Sequence, residues 1–101
     1  MQNRIPDVVW AYAEILRSKL NDPVIYLFGS FAKGTANEDS DIDIAVVSSS
    51  FTGDPIDDTV SLMRIRRRID LRIEPHPFLP SEFSEENPFV KEILDTGIRI
   101  A

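Results

Sequence analysis

The chain has 101 residues, enough for a single domain, which we expect to span 1–101. At 43% hydrophobic and 28% charged it can bury one core. The absence of cysteine excludes disulfides and thiolate metal sites. A net charge of −6 argues against broad, sequence-independent nucleic-acid binding, which rests on Lys/Arg contacts to phosphates.

No apolar run reaches the roughly 20 residues of a membrane helix. Met1–Pro6 is polar and does not resemble a signal peptide. A cytoplasmic protein is the resulting expectation.

Residues 6–20 read as a helix. Pro6 suits its first turn, Asp7 the positive end of its dipole, and Val8, Tyr12, Ile15 and Leu16 recur at helical spacing. Trp10 is expected to pack. Asn21-Asp22-Pro23 is a turn.

Val24–Phe28 is a short, almost wholly apolar run rich in β-branched and aromatic residues, as in a strand buried on both faces. Residues 29–40 carry loop chemistry, with a brief helical turn near Ser30–Lys33, and Ile42–Val47 is a second strand.

Asp54-Pro55 is a cap followed by a first-turn proline, opening a helix with Ile56, Val60 and Met63 on its apolar face. Ile69–Glu74 alternates and reads as a half-buried strand with Asp70, Arg72 and Glu74 on one face. Pro75, Pro77 and Pro80 predict an extended connection over 75–80, and residues 81–86 a turn of helix.

Asn87-Pro88 starts a last helix with Phe89, Ile93 and Leu94 inward and Gly97 as its C′ residue. Ile98–Ala101 adds a short strand or a docked tail. The fold class is α+β (α/β): helices on a small mixed sheet of three to four strands.

The chemistry concentrates in Tyr26–Val47. Residues two apart in a strand share a face, so Asp41 and Asp43 point together. Two neighbouring carboxylates repel, and a divalent cation reverses the sign of that term. Asp70 supplies a third carboxylate if its strand lies beside Ile42–Val47. Gly29 lets backbone approach a ligand, and N–H groups at such a turn can cradle phosphate, with the Ser30 hydroxyl adding a donor. Together these features imply a nucleoside triphosphate held through Mg²⁺. Each has a plainer reading alone: an ordinary turn at Gly29-Ser30, and solvated surface at the acids.

Gly29-Ser30, ten residues, then Asp41-x-Asp43 resembles the signature of the DNA polymerase beta-like nucleotidyltransferases. The segments GSFAKG and SDIDI resemble the minimal nucleotidyltransferase (MNT) group, antitoxin-type, and the likeness runs from about residue 6 onward. The resemblance implies that Gly29 and Ser30 contact the triphosphate, and that Asp41, Asp43 and Asp70 are the catalytic, metal-binding carboxylates. Glu74, on the same face as Asp70, is the alternative third acid. The implied cofactor is Mg²⁺, the nucleotide ATP, and the reaction transfer of AMP to a hydroxyl with release of pyrophosphate.

The MNT group is typically paired with small helical HEPN-type toxins, which implies a partner protein as acceptor. The alternatives are a binding module that neutralises a partner by covering it, and a transferase acting on a small molecule or RNA end. His76, between two prolines, reads as a surface or loop histidine, with a role at the acceptor site as the alternative. The arginines at 64–68 suit a solvated helix end, an acidic partner or the triphosphate.

Overall fold

The computed structural model describes residues 5–101, so most of the polar Met1–Pro6 start lies outside the described residues. The elements are α1 (Asp7–Lys19), β1 (Val24–Phe28), α2 (Ser30–Lys33), β2 (Ile42–Val47), α3 (Pro55–Arg66), β3 (Ile73–Phe78), a 3₁₀ turn at Pro80–Glu82, α4 (Pro88–Thr96) and β4 (Ile98–Arg99). They form an α+β fold around one mixed sheet of order β3-β2-β1-β4. β1 runs antiparallel to β2 and β4, and β3 runs parallel to β2.

Strand alternation divides the side chains between two layers. Ile25, Leu27, Ile42, Ile44, Val46 and Ile73 share a core with Val9, Tyr12, Ala13 and Leu16 of α1 and Leu62 of α3. The Tyr12 hydroxyl donates to Leu62 O at 2.9 Å, joining the two helices. On the other face Phe28 and Ala45 meet Ile93 of α4, with Tyr26, Phe78 and Phe83 around them.

One helix, α3, presents a different face inward from the one expected; α1 keeps Tyr12 and Leu16 inward as expected, and α4 buries Val90 and Ile93 while Phe89 is 45% exposed rather than inward. In α1 the buried stripe is Val9, Tyr12, Ala13 and Leu16, and Trp10 is 48% exposed rather than packed. In α3 Asp58 and Leu62 face inward, while Ile56 is 75% and Val60 41% exposed. The cause is Asp58. Its carboxylate accepts from Thr52 N, Thr52 Oγ1 and Gly53 N, satisfying the loop before the helix and fixing the helix's rotation. The Asp54 cap is as expected, accepting from Ile56 N and Asp57 N.

The third strand also differs from expectation. It covers Ile73–Phe78, not Ile69–Glu74, and it contains Pro75 and Pro77. Ile42 N donates to Arg72 O and Ser48 N to Phe78 O, so residues 72, 74, 76 and 78 turn their backbone groups toward β2. Pro75 and Pro77 occupy the alternate positions on an edge strand, where no ladder donor is needed. Residues 67–72 form a turn instead. Arg66 stabilises it by donating to Leu71 O at 2.9 Å and Ile73 O at 2.8 Å. One member of the arginine run therefore acts within the fold.

Gly97 caps α4 in extended backbone, φ −80°, not in a left-handed turn. Glycine is required there for close approach: a Cβ would stand 2.5 Å from Ile93 O and 3.1 Å from Leu27 O.

Candidate active site

β1 ends at Phe28, opposite Asp43 of β2. Gly29 then breaks the strand with φ 77°, a left-handed value that favours glycine, and α2 begins at Ser30. The first hydrogen bond back to the turn is Lys33 N–H to Gly29 O at 3.1 Å. Gly34 closes the short helix in the left-handed region, φ 78°, and Thr35 N–H donates to Ser30 O.

The turn lies directly against the acids. A Cβ on Gly29 would fall 2.4 Å from Asp43 Oδ2, so the Asp43 carboxylate fills the space that a side chain at 29 would occupy. The motif's glycine thus has two structural reasons, backbone conformation and contact with the second aspartate.

Asp41 is exposed and immediately precedes β2; Asp43 is half-buried within it. The connecting loop is held by local bonds. Asp39 N–H donates to Asn37 Oδ1, Asn37 N–H to Ser40 Oγ, and Ser40 N–H to Asn37 O. This is the side-chain-to-backbone chemistry that makes Asn and Ser favourable in turns. It delivers Asp41 to the entry of β2 and Asp43 to a position two residues on, at one end of the sheet.

Asp70 does not lie on a strand beside β2. It sits in the turn before β3, and its carboxylate is taken up by Arg72. Oδ1 accepts from Arg72 N at 2.8 Å and Nε at 3.1 Å, and Oδ2 from an Arg72 terminal nitrogen at 2.9 Å. These hydrogen bonds hold the Asp70 carboxyl below the usual carboxylate range. The acid that the sheet brings next to Asp43 is Glu74, its register partner on β3. In parallel pairing such partners share a face.

His76 is not a loop residue. It lies on β3 two residues after Glu74, and its Nε2 is 3.5 Å from Asp43 Oδ1. That nitrogen is buried and makes no hydrogen bond among the described residues. The ring stands edge-on to Phe28 and Phe89, with centroids 5.1 and 5.8 Å away. An aromatic wall therefore borders the acids on the α4 side. Spacing alone did not reveal it, because its members come from β1, β3 and α4.

Among the described residues no group of three or more His, Asp or Glu is already gathered as a cation cage. The donors still suit Mg²⁺ in kind. They are the carboxylates of Asp41 at the entry to β2, Asp43 within it and Glu74 opposite Asp43 on β3. Mg²⁺ commonly takes one or two protein carboxylates and completes its shell with substrate phosphates and water.

The family profile described as "Nucleotidyltransferase domain" matches residues 11–98. A Methanocaldococcus jannaschii protein, provisionally named a protein adenylyltransferase, is 29% identical over 97 residues, covering 95% of this chain and 93% of that one. A Sulfolobus solfataricus crystal structure, provisionally named a nucleotidyltransferase, superposes with TM-score 0.65 at 22% identity. It covers 92% of this chain and 76% of the other. A crystal structure of a toxin-antitoxin with AMP-PNP gives TM-score 0.67 at 22% identity, covering 93% and 72%. At that identity the two structures speak for the fold.

Proposed function

The chain belongs to the nucleotidyltransferase domain family, and from that premise we propose that it moves AMP from ATP, with Mg²⁺, onto a hydroxyl of a partner protein. The observation that carries this is the meeting of three features at one end of the sheet: the Gly29-Ser30 turn, Asp43 against it, and Glu74 in register beside Asp43.

In this reading Gly29 and Ser30 receive the triphosphate through backbone N–H groups and the Ser30 hydroxyl. Asp41, Asp43 and Glu74 would hold Mg²⁺. Bound there, the ion supplies charge stabilisation for the attacking and leaving oxygens. Glu74 replaces Asp70 as third acid, because the Asp70 oxygens are already engaged by Arg72.

Glu74 orients the acceptor hydroxyl from the β3 side and accepts its proton. The acceptor oxygen forms a bond to the α-phosphorus, the bond to the bridging oxygen breaks, and pyrophosphate leaves. The aromatic wall of Phe28, His76 and Phe89 excludes water from that side and strengthens the electrostatics.

A protein acceptor accords with the adenylyltransferase name of the archaeal relative and with the toxin-antitoxin neighbour. The MNT resemblance specifies it further as a HEPN-type toxin, for which this chain would act as antitoxin. The test is incubation with α-labelled ATP, Mg²⁺ and a co-purifying partner. Label on the partner that is lost in Asp41→Asn/Asp43→Asn supports the proposal. Tight partner binding without label, unchanged by those substitutions, contradicts it and favours a purely covering antitoxin.

A further inference from the structure

The outward face of α3 carries an apolar stripe. Ile56, Val60 and Met63 follow one another at steps of four and three residues, the spacing of a two-helix seam. Ile56 and Val60 are 75% and 41% exposed, and Met63 is half-buried. The inward side of the helix is already committed through Asp58 and Leu62, so this stripe has no role in the chain's own core. Ile56 and Val60 thus place two exposed apolar side chains in line on one short helix.

The charges beside the stripe identify the occupant. Taking Ile56 and Met63 as one kind of seam position and Val60 as the other, Asp57 and Arg64 fall at the same flanking position, one heptad apart. Both are exposed, and the ion pairs among the described residues involve neither. When two copies of α3 lie antiparallel, equivalent flanking positions face each other across a two-fold axis. Asp57 of one copy then meets Arg64 of the second, twice. A parallel arrangement sets Thr59 or Arg66 opposite them and matches no such charge pair.

Strand addition is a poor competitor. The free edge of β3 carries Pro75 and Pro77, which offer no N–H outward. We propose that this chain forms a two-fold homodimer through antiparallel packing of α3, with Val60 and Met63 at its centre and reciprocal Asp57–Arg64 pairs at its flanks. This interface lies on the sheet face opposite Asp43 and Glu74, so it leaves the proposed transfer site open.

The test is sedimentation equilibrium of the full chain over roughly 10 µM to 1 mM, the range where a small interface is populated. Wild type is expected to pass from monomer to dimer. Val60→Glu is expected to remain monomeric while keeping the wild-type circular dichroism, since the position is exposed. Asp57→Arg and Arg64→Asp should each weaken the dimer by about tenfold or more. The double variant Asp57→Arg/Arg64→Asp should restore it, and mixing the two single variants should give a heterodimer. A wild-type monomer throughout, or a dimer indifferent to Val60→Glu, overturns the proposal. So does failure of the double variant to recover while remaining folded, which would point to a different partner on this face.

Discussion

Glycine 29 and the two acids at 70 and 74 carry most of the residue-scale argument. Gly29→Ala must place a Cβ against Asp43 Oδ2 in a backbone with φ 77°. We predict a loss of about 1–3 kcal/mol in urea unfolding together with loss of transfer activity, as the displaced carboxylate leaves the site. Retention of both would show that the close packing is unimportant.

Asp70 makes the opposite kind of prediction. Arg72 lowers its carboxyl in the folded state, so more protons bind on unfolding. Its contribution is present at pH above the unfolded value near 3.8 and is lost as pH falls through the lower folded value. The stability difference between wild type and Asp70→Asn should therefore be largest near neutral pH and vanish in strong acid. It should be modest, because the pair is partly exposed. A difference that grows on acidification would contradict the assignment.

The turn at Gly29-Ser30 and the strand that carries Asp43 were legible in sequence because a glycine turn and a short apolar run are local facts. Glu74 was not preferred over Asp70. That choice depends on which residue stands opposite Asp43 across two strands, which no local pattern encodes.

At the scale of elements, caps and short apolar runs were the reliable signals. Val24–Phe28, Ile42–Val47, the Asp54 cap and the Asn87 cap fall where the sequence puts them. Asn87→Ala, removing the bond from Phe89 N–H, should cost about 1 kcal/mol in chemical denaturation, with α4 and its aromatic contacts loosened first.

The rotation of α3 was misread because its inward face contains an aspartate. Asp58 looks like surface in sequence but satisfies three donors of the preceding loop. Asp58→Ala leaves those donors without their partner and should destabilise by ~2–4 kcal/mol, more than any substitution at exposed Ile56. A smaller effect than Ile56→Ala would refute the packing account. The start of β3 was misread for a related reason. The alternation at Ile69, Leu71 and Ile73 is genuine, yet Arg66 binds the Leu71 and Ile73 carbonyls and keeps residues 67–72 as a turn. The prolines that seemed to end the strand lie where an edge strand tolerates them.

For the whole molecule, the sheet converts separate stretches into one site. The antiparallel β1–β2 pair sets the Gly29-Ser30 turn against Asp43, and the parallel β2–β3 pair sets Glu74 beside it. Helices α1 and α3 cover one face, and α4 brings Ile93 and the Phe89 ring to the other. The measurement that bears most directly on this account is transfer of label from α-labelled ATP, with Mg²⁺ and the co-purifying partner, by Glu74→Gln and Asp70→Asn side by side. The account predicts that Glu74→Gln loses ~100-fold or more of the rate, while Asp70→Asn stays within a few-fold of wild type. Loss of transfer in Asp70→Asn with activity retained in Glu74→Gln would contradict it.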